Sequence, residues 1–270
     1  MQTRLACLEV PSPKEAEVAH CLAGLGECQR WTDTAIVASR GDAGRRWLYE
    51  PVMASTKRPP HIIPGLKLHY NDFAGHGAEA YESSDLWYGV AEEAREIAAQ
   101  TGSAVVWIDS ETVLRPFYAG EKNIDLDALY VGMAPLRECG LDVLMRHPFL
   151  VGDSPNRLSG TTELTKAVAV ALPNATFVTS YSGVLGWENT EDAMLRRMMI
   201  ELVGGSRIIE LQYPHITGCF DGGKQAYLPR DAIASEWQLL GDEHVIYPSA
   251  AEWVPVCRAY ADLLAAEETK

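Results

Sequence analysis

The segment AVVWIDSE, running from Ala104, closes on two carboxylates, Asp109 and Glu111, set two residues apart. Strand alternation puts both on one face, with Trp107 below them. Two carboxylates so close cannot both ionise freely, so one of the pair is expected to keep its proton near neutrality. Such a pair suits general acid catalysis, in which one group protonates a leaving oxygen while the other steadies the reacting centre. A third carboxylate, Glu210, sits within RIIELQYP. With Ile209, Leu211 and Tyr213 facing outward, Glu210 and Gln212 would lie inside the molecule. An ionised carboxylate there needs a partner. Glu210 is therefore expected either to act as a nucleophile or to ion-pair with Lys67 or Arg146.

Further polar and aromatic groups fall where apolar segments end. Glu9 closes RLACLEV, Asn71 and Asp72 follow GLKLHY, and Arg146 and His147 close LDVLMRH. Tyr181 lies at the end of TFVTSYS, while Tyr213 and His215 follow RIIELQ. Of these, Asn71, Asp72, Arg146, His147, Tyr181, Tyr213 and His215, together with Trp187, are the candidates for binding substrate. A lone histidine more often fills a structural role than a catalytic one. Loop aromatics are plentiful (Trp47, Tyr49, Phe73, Phe117, Tyr118, Trp187 and Phe220). They suit a ligand with apolar C–H faces and a polar rim, although large aromatics also dominate core packing.

The elements that must position these groups are legible as an alternation of strand-like and helix-like stretches. Strands are expected at RLACLEV from Arg4, TAIVASR from Thr34, GLKLHYN from Gly65 and AVVWIDSE from Ala104. LDVLMRHP from Leu141, TFVTSYS from Thr176, RIIELQYP from Arg207 and HVIYPS from His244 complete eight. Helices are expected over 14–28, 85–100, 125–138, 162–172, 190–202, 231–240 and 250–266. The stretch 41–65 carries too many prolines for a regular helix and is read as an irregular second unit. No GxGxxG follows the first strand, as an open dinucleotide-binding sheet would require. The fold class expected is therefore α/β, a (β/α)8 barrel forming a single domain over 1–270, with its chemistry at the C-terminal strand ends.

An Asp-x-Glu closing the fourth strand resembles barrel glycoside hydrolases of the chitinase-like and lysozyme-like families. The resemblance implies Glu111 as general acid and Asp109 as the residue that orients or stabilises the reacting centre. Another large group of barrel glycosidases sets an acid on strand four and a nucleophile on strand seven, and Glu111 with Glu210 resembles that pairing. A glycosidic bond in a carbohydrate substrate would then be cleaved across the barrel top. A carboxyl separation of about 5–5.5 Å would imply retention, and about 6.5–9.5 Å inversion.

Two alternatives stay open. A phosphate-binding isomerase or aldolase would use the loop 217–225, TGCFDGGKQ, with Lys224 adding charge and Lys67 available for a Schiff base. A non-catalytic glycan-binding barrel is the other, since fold does not fix function. A metal site would have to gather His69, His147 and His215 with Asp72 or Asp109. No HExxH or paired-histidine motif supports one, and no metal or other cofactor is expected.

The formal net charge of −14 disfavours nucleic acid and anionic membrane as partners. The six cysteines include no CxxC pair, and buried free thiols are the expected state. The N-terminus has no basic segment followed by a long apolar core, so a cytoplasmic protein is expected, or a secreted one if a leader has been removed.

Overall fold

The computed structural model describes residues 4–11, 14–40, 45–68, 84–110, 125–147, 167–180, 208–212, 219–221, 224–226, 244–248 and 250–267. Eight parallel strands close into a barrel: β1 (Arg4–Val10), β2 (Thr34–Arg40), β3 (His61–Lys67), β4 (Val105–Asp109), β5 (Asp142–His147), β6 (Ala175–Ser180), β7 (Ile208–Gln212) and β10 (His244–Ile246). β1 pairs with both β2 and β10, which completes the circle. Between β7 and β10 lies an antiparallel hairpin, β8 (Cys219–Asp221) with β9 (Lys224–Ala226). The expected (β/α)8 barrel is the architecture found.

Strand alternation divides the core in two. Leu5, Cys7, Ile36, Ala38, Ile63, Trp107, Leu144, Val178, Val245 and Tyr247 pack together inside the barrel. Their out-of-phase neighbours, among them Ala6, Leu8, Val37, Ile62, Val106, Ile108 and Phe177, face the helices. Both faces are apolar, as expected of a parallel sheet covered on both sides.

The helices are α1 (Glu15–Cys28), α2 (Arg45–Ala54), α3 (Ser84–Thr101), α4 (Leu126–Gly132), α5 (Ala134–Arg137) and α6 (Trp253–Glu267), and residues 167–171 are also helical. On α1 the buried Val18, Cys21, Leu25 and Cys28 recur at helical spacing, and Glu15 and Glu17 favour its N-terminal dipole. α3 buries Trp87, Val90, Ala94 and Ile97, and Gly102 at φ 69° ends it in the left-handed region. Asp125 caps α4, its carboxylate accepting from the Asp127 and Ala128 N–H groups. The single helix expected over 125–138 is two, because Pro135 has no N–H to continue the ladder. The helices expected over 190–202 and 231–240 lie outside the described residues.

The second unit differs from expectation in two linked ways. It contains a regular ten-residue helix, α2, with Pro51 inside it. Its strand β3 begins at His61, four residues before the start read from the sequence, and so contains Pro64. Proline normally interrupts a ladder, because it has no donor. Here Tyr49 of α2 is fully buried and sends its hydroxyl into that gap. The hydroxyl accepts from the Gly65 N–H at 3.0 Å and faces the carbonyls of Val37 at 3.0 Å and Gly65 at 3.2 Å. Leu48 and Val52 are buried beside it and anchor the helix. Apolar burial and this hydroxyl outweigh the proline signal. Tyr49 is accordingly a core residue and not a ligand-facing loop aromatic.

Candidate active site at the barrel mouth

The innermost residues at the C-terminal ends of four strands are charged: Glu9 on β1, Lys67 on β3, Asp109 on β4 and Arg146 on β5. They form a chain of alternating sign. Lys67 Nζ lies 2.9 Å from Glu9 Oε2 and 3.8 Å from Asp109 Oδ2. Arg146 Nη1 donates to the same Asp109 oxygen at 2.7 Å. Asp109 is 1% exposed, and Arg146 is buried with it. Desolvating such groups is costly, and each is tolerable only because an opposite charge and hydrogen bonds offset the loss. The guanidinium of Arg146 also stands 5.1 Å from the ring centroid of Tyr247, which follows β10.

The layer beneath is apolar and sets the level of the charges. Trp107, two residues before Asp109, is fully buried inside the barrel. It fits because residue 65, its register partner, is glycine. A Cβ at Gly65 would fall 2.9 Å from Trp107 Cδ1 and 2.8 Å from Ala38 Cβ. Cys7 lies in the same apolar cluster. Burial pushes its thiol well above the usual range, and the negative charges of Glu9 and Asp109 add to the shift. A thiol so placed is no nucleophile.

The chain leaving β4 is pinned at the mouth. Ser110 donates to the Arg146 carbonyl through its backbone N–H at 3.3 Å and through its hydroxyl at 2.9 Å. On the other side, the Leu68 N–H donates to the Asp109 carbonyl at 2.9 Å. The residue that follows Ser110 is Glu111, which lies outside the described residues.

Of the residues singled out from the sequence, the structure brings Asp109 and Arg146 together, in contact. His147 closes β5 and Glu210 lies in β7, and for both only the backbone is described. Val178 and Val245, which line the barrel interior, stand in register with Ile209 and Leu211. Glu210 is in register with Thr179 and His244. That register is one residue out of step with the reading that set Glu210 on the inner face. RIIELQYP alternates, with Ile209, Leu211 and Tyr213 on one face and Glu210 and Gln212 on the other, but in a barrel both the interior and the helix side take apolar residues, so the pattern did not say which face turns inward. Asn71, Asp72, Tyr181, Trp187, Tyr213 and His215 lie outside the described residues.

Lys67 and Glu9 enter the site as a pair that the sequence did not join. With β3 read as ending near Asn71, Lys67 looked mid-strand, whereas β3 ends on it. Among the described residues no group of three or more His, Cys, Asp or Glu side chains is placed to hold a metal ion. No described helix is long and apolar enough to cross a membrane. The 217–225 segment, considered as a phosphate loop, contributes the β8–β9 hairpin, in which Asp221 stands opposite Lys224.

No protein-family model matches the sequence, and no curated protein matches it. Solved structures do match by shape. The spore cortex-lytic enzyme SleL of Bacillus megaterium QM B1551 shares 10% identity, with 96% of this chain and 73% of that one covered at a TM-score of 0.54. The beta-mannanase of Thermomonospora fusca shares 14% identity over 90% and 78% of the two chains, at 0.52. An endo-beta-N-acetylglucosaminidase from Cordyceps militaris shares 11% over 98% and 90%, also at 0.52. The likeness is one of fold: the chain is a (β/α)8 barrel similar in shape to barrel glycoside hydrolases.

Proposed function

We propose that this barrel hydrolyses a glycosidic bond in a carbohydrate bound across its C-terminal face, with Glu111 as general acid and Asp109 as the charge that orients the reacting centre. The observation that carries the reading is the setting of Asp109: a buried carboxylate at the end of β4, held by Arg146 and approached by Lys67. So held, Asp109 can fix the position and orientation of the groups around a sugar ring as its bond breaks. An ion-paired acceptor does not donate a proton, which leaves that role to the neighbouring carboxyl. Glu111 directly follows Ser110, whose two hydrogen bonds to β5 fix the point from which it departs. Names among the structural neighbours point the same way, since two are glycosidases and a third is a spore cortex-lytic enzyme.

Substrate binding is assigned to Asn71, Asp72, Arg146, His147, Tyr181, Trp187, Tyr213 and His215, which follow or close barrel strands in the sequence. Glu210 is out of phase with the inner-facing positions of β7, so the nucleophile is not assigned to it, and Glu210→Gln is expected to keep its turnover. The test is a glycan-panel hydrolysis screen of wild type beside Glu111→Gln and Glu210→Gln. Loss of a general acid lowers kcat by about 10²–10⁴-fold, so Glu111→Gln is expected to lose turnover on that scale while still binding the glycan. Full activity in Glu111→Gln removes it as the acid, and no hydrolysis of any glycan by wild type overturns the function.

A further inference from the structure

The seam between α1 and α6 closes the ring of helices, and it encloses three thiols. Cys21 and Cys28 lie on α1 about two turns apart, Cys257 lies on α6, and all three are fully buried. The Cys28 thiol donates to Cys257 Sγ at 3.3 Å. Contacts on all sides hold the two helices in register around this pair. Arg258 Nη2 meets Glu27 Oε1 at 2.8 Å, and Arg30 Nη2 meets Asp262 Oδ1 at 2.9 Å. His20 stacks on Trp253 at 5.2 Å between centroids, and Trp31 packs against Tyr260 at 5.7 Å. Along the seam the partners advance together from residues 20 and 253 to residues 30 and 262, so the helices run parallel and the two sulfurs meet without any shift of either helix along its axis.

We propose that Cys28 and Cys257 are an oxidation site, forming a reversible disulfide that clasps the first helix of the barrel to the last. A disulfide has an S–S distance of about 2.0 Å, so the sulfurs need approach by little more than 1 Å, on the scale of a side-chain adjustment. The oxidant is a small disulfide of the glutathione class. One thiol loses its proton and attacks that disulfide, forming a mixed disulfide and releasing one small thiol. The second cysteine, as thiolate, then attacks the protein-bound sulfur and displaces the other small thiol. The two electrons and two protons lost by the protein end on the two released thiols. Burial pushes the thiols up, that of Cys21 to about 12 and that of Cys28 well above the usual range. Thiolate is therefore scarce while the seam is shut, and the reaction waits on its opening.

The position gives the link its consequence. The sheet closes at β1–β10 through three residue pairs, as at β3–β4 and β7–β10, against five between β1 and β2 and seven between β2 and β3. A bond between residues 229 apart in sequence encloses nearly the whole barrel, and loop-closure restraint grows with the length of chain enclosed. Oxidation would lock the place where the first and last strands of the circle meet.

The full chain is incubated with glutathione disulfide under native conditions, then alkylated, digested without reduction and mapped. Free thiols are expected to fall from six to four, with the peptides of Cys28 and Cys257 joined. The thermal midpoint is expected to rise by several degrees and to return with dithiothreitol. Cys257→Ser and Cys28→Ala should each abolish both effects, and Cys21→Ser should keep both. Survival of all six thiols, a link to Cys21 in place of either partner, or glutathione adducts without an internal bond overturns the proposal.

Discussion

The charges at the barrel mouth are mutually dependent, and Arg146 shows how strongly. It satisfies Asp109 at 2.7 Å in a setting where both side chains are almost wholly buried. Removing one partner of a buried pair leaves an uncompensated charge and costs about 3–5 kcal/mol. Lys67, 3.8 Å from the same oxygen, softens that loss. Arg146→Met is therefore expected near the lower end, about 3 kcal/mol, read as a shift in urea midpoint at constant slope. Replacing both partners, as Asp109→Leu with Arg146→Met, should recover most of the stability while abolishing the proposed hydrolysis. A double variant no more stable than the single would show that Arg146 is held by packing and not by charge. Asp109 was legible at this scale because AVVWIDSE states both its strand and the carboxylate that closes it. The cationic half was not, because which cation meets which carboxylate depends on the order of strands around the barrel.

Elements were more legible than their boundaries. TAIVASR and RLACLEV announce β2 and β1 residue for residue, since each holds an unbroken apolar run of four residues between polar ones. β3 was misplaced because three prolines at 59, 60 and 64 outweighed the apolar HII that opens it. What reconciles proline with the strand is a tyrosine twelve residues from β2's Val37 and sixteen from Gly65, a relation that no local pattern carries. Tyr49→Phe keeps the ring in place and removes the hydroxyl alone. It should leave the Gly65 N–H without its acceptor, and an unsatisfied buried group costs about 1–3 kcal/mol. Chemical denaturation of the variant checks this, with amide exchange at Gly65 expected to accelerate. An unchanged midpoint would mean that the gap at Pro64 is closed by something other than Tyr49.

At the level of the whole molecule, the first and last helices meet where the circle closes, and pH should act there. Arg258 donates to Glu27 through two nitrogens, and Arg30 through a third. These bonds, that from Arg258 foremost, hold the Glu27 carboxyl below its ordinary value of 4.5. A group depressed in the folded state contributes stability that is complete above its unfolded value and is lost as pH falls through the folded one. The α1–α6 seam should therefore weaken as pH drops below 4.5, and less steeply in high salt, because the arginines are partly exposed. Denaturation midpoints of wild type and Glu27→Gln should differ above pH 4.5 and draw together as the pH falls below it. A gap that persists in acid would assign the effect to packing.

The hydroxyl of Tyr49 also bears on how such a barrel can be rearranged. A ring of repeated strand–helix units invites the exchange of whole units between related chains, with the crossover placed in a loop. Here the second helix supplies an atom that completes the backbone of the third strand, and Gly65 of that strand makes room for the indole of the fourth. A crossover anywhere between residues 49 and 65 would part the hydroxyl from the proline-made gap that it fills. Units two to four of this barrel would therefore have to be exchanged as one block, however separable they look in sequence.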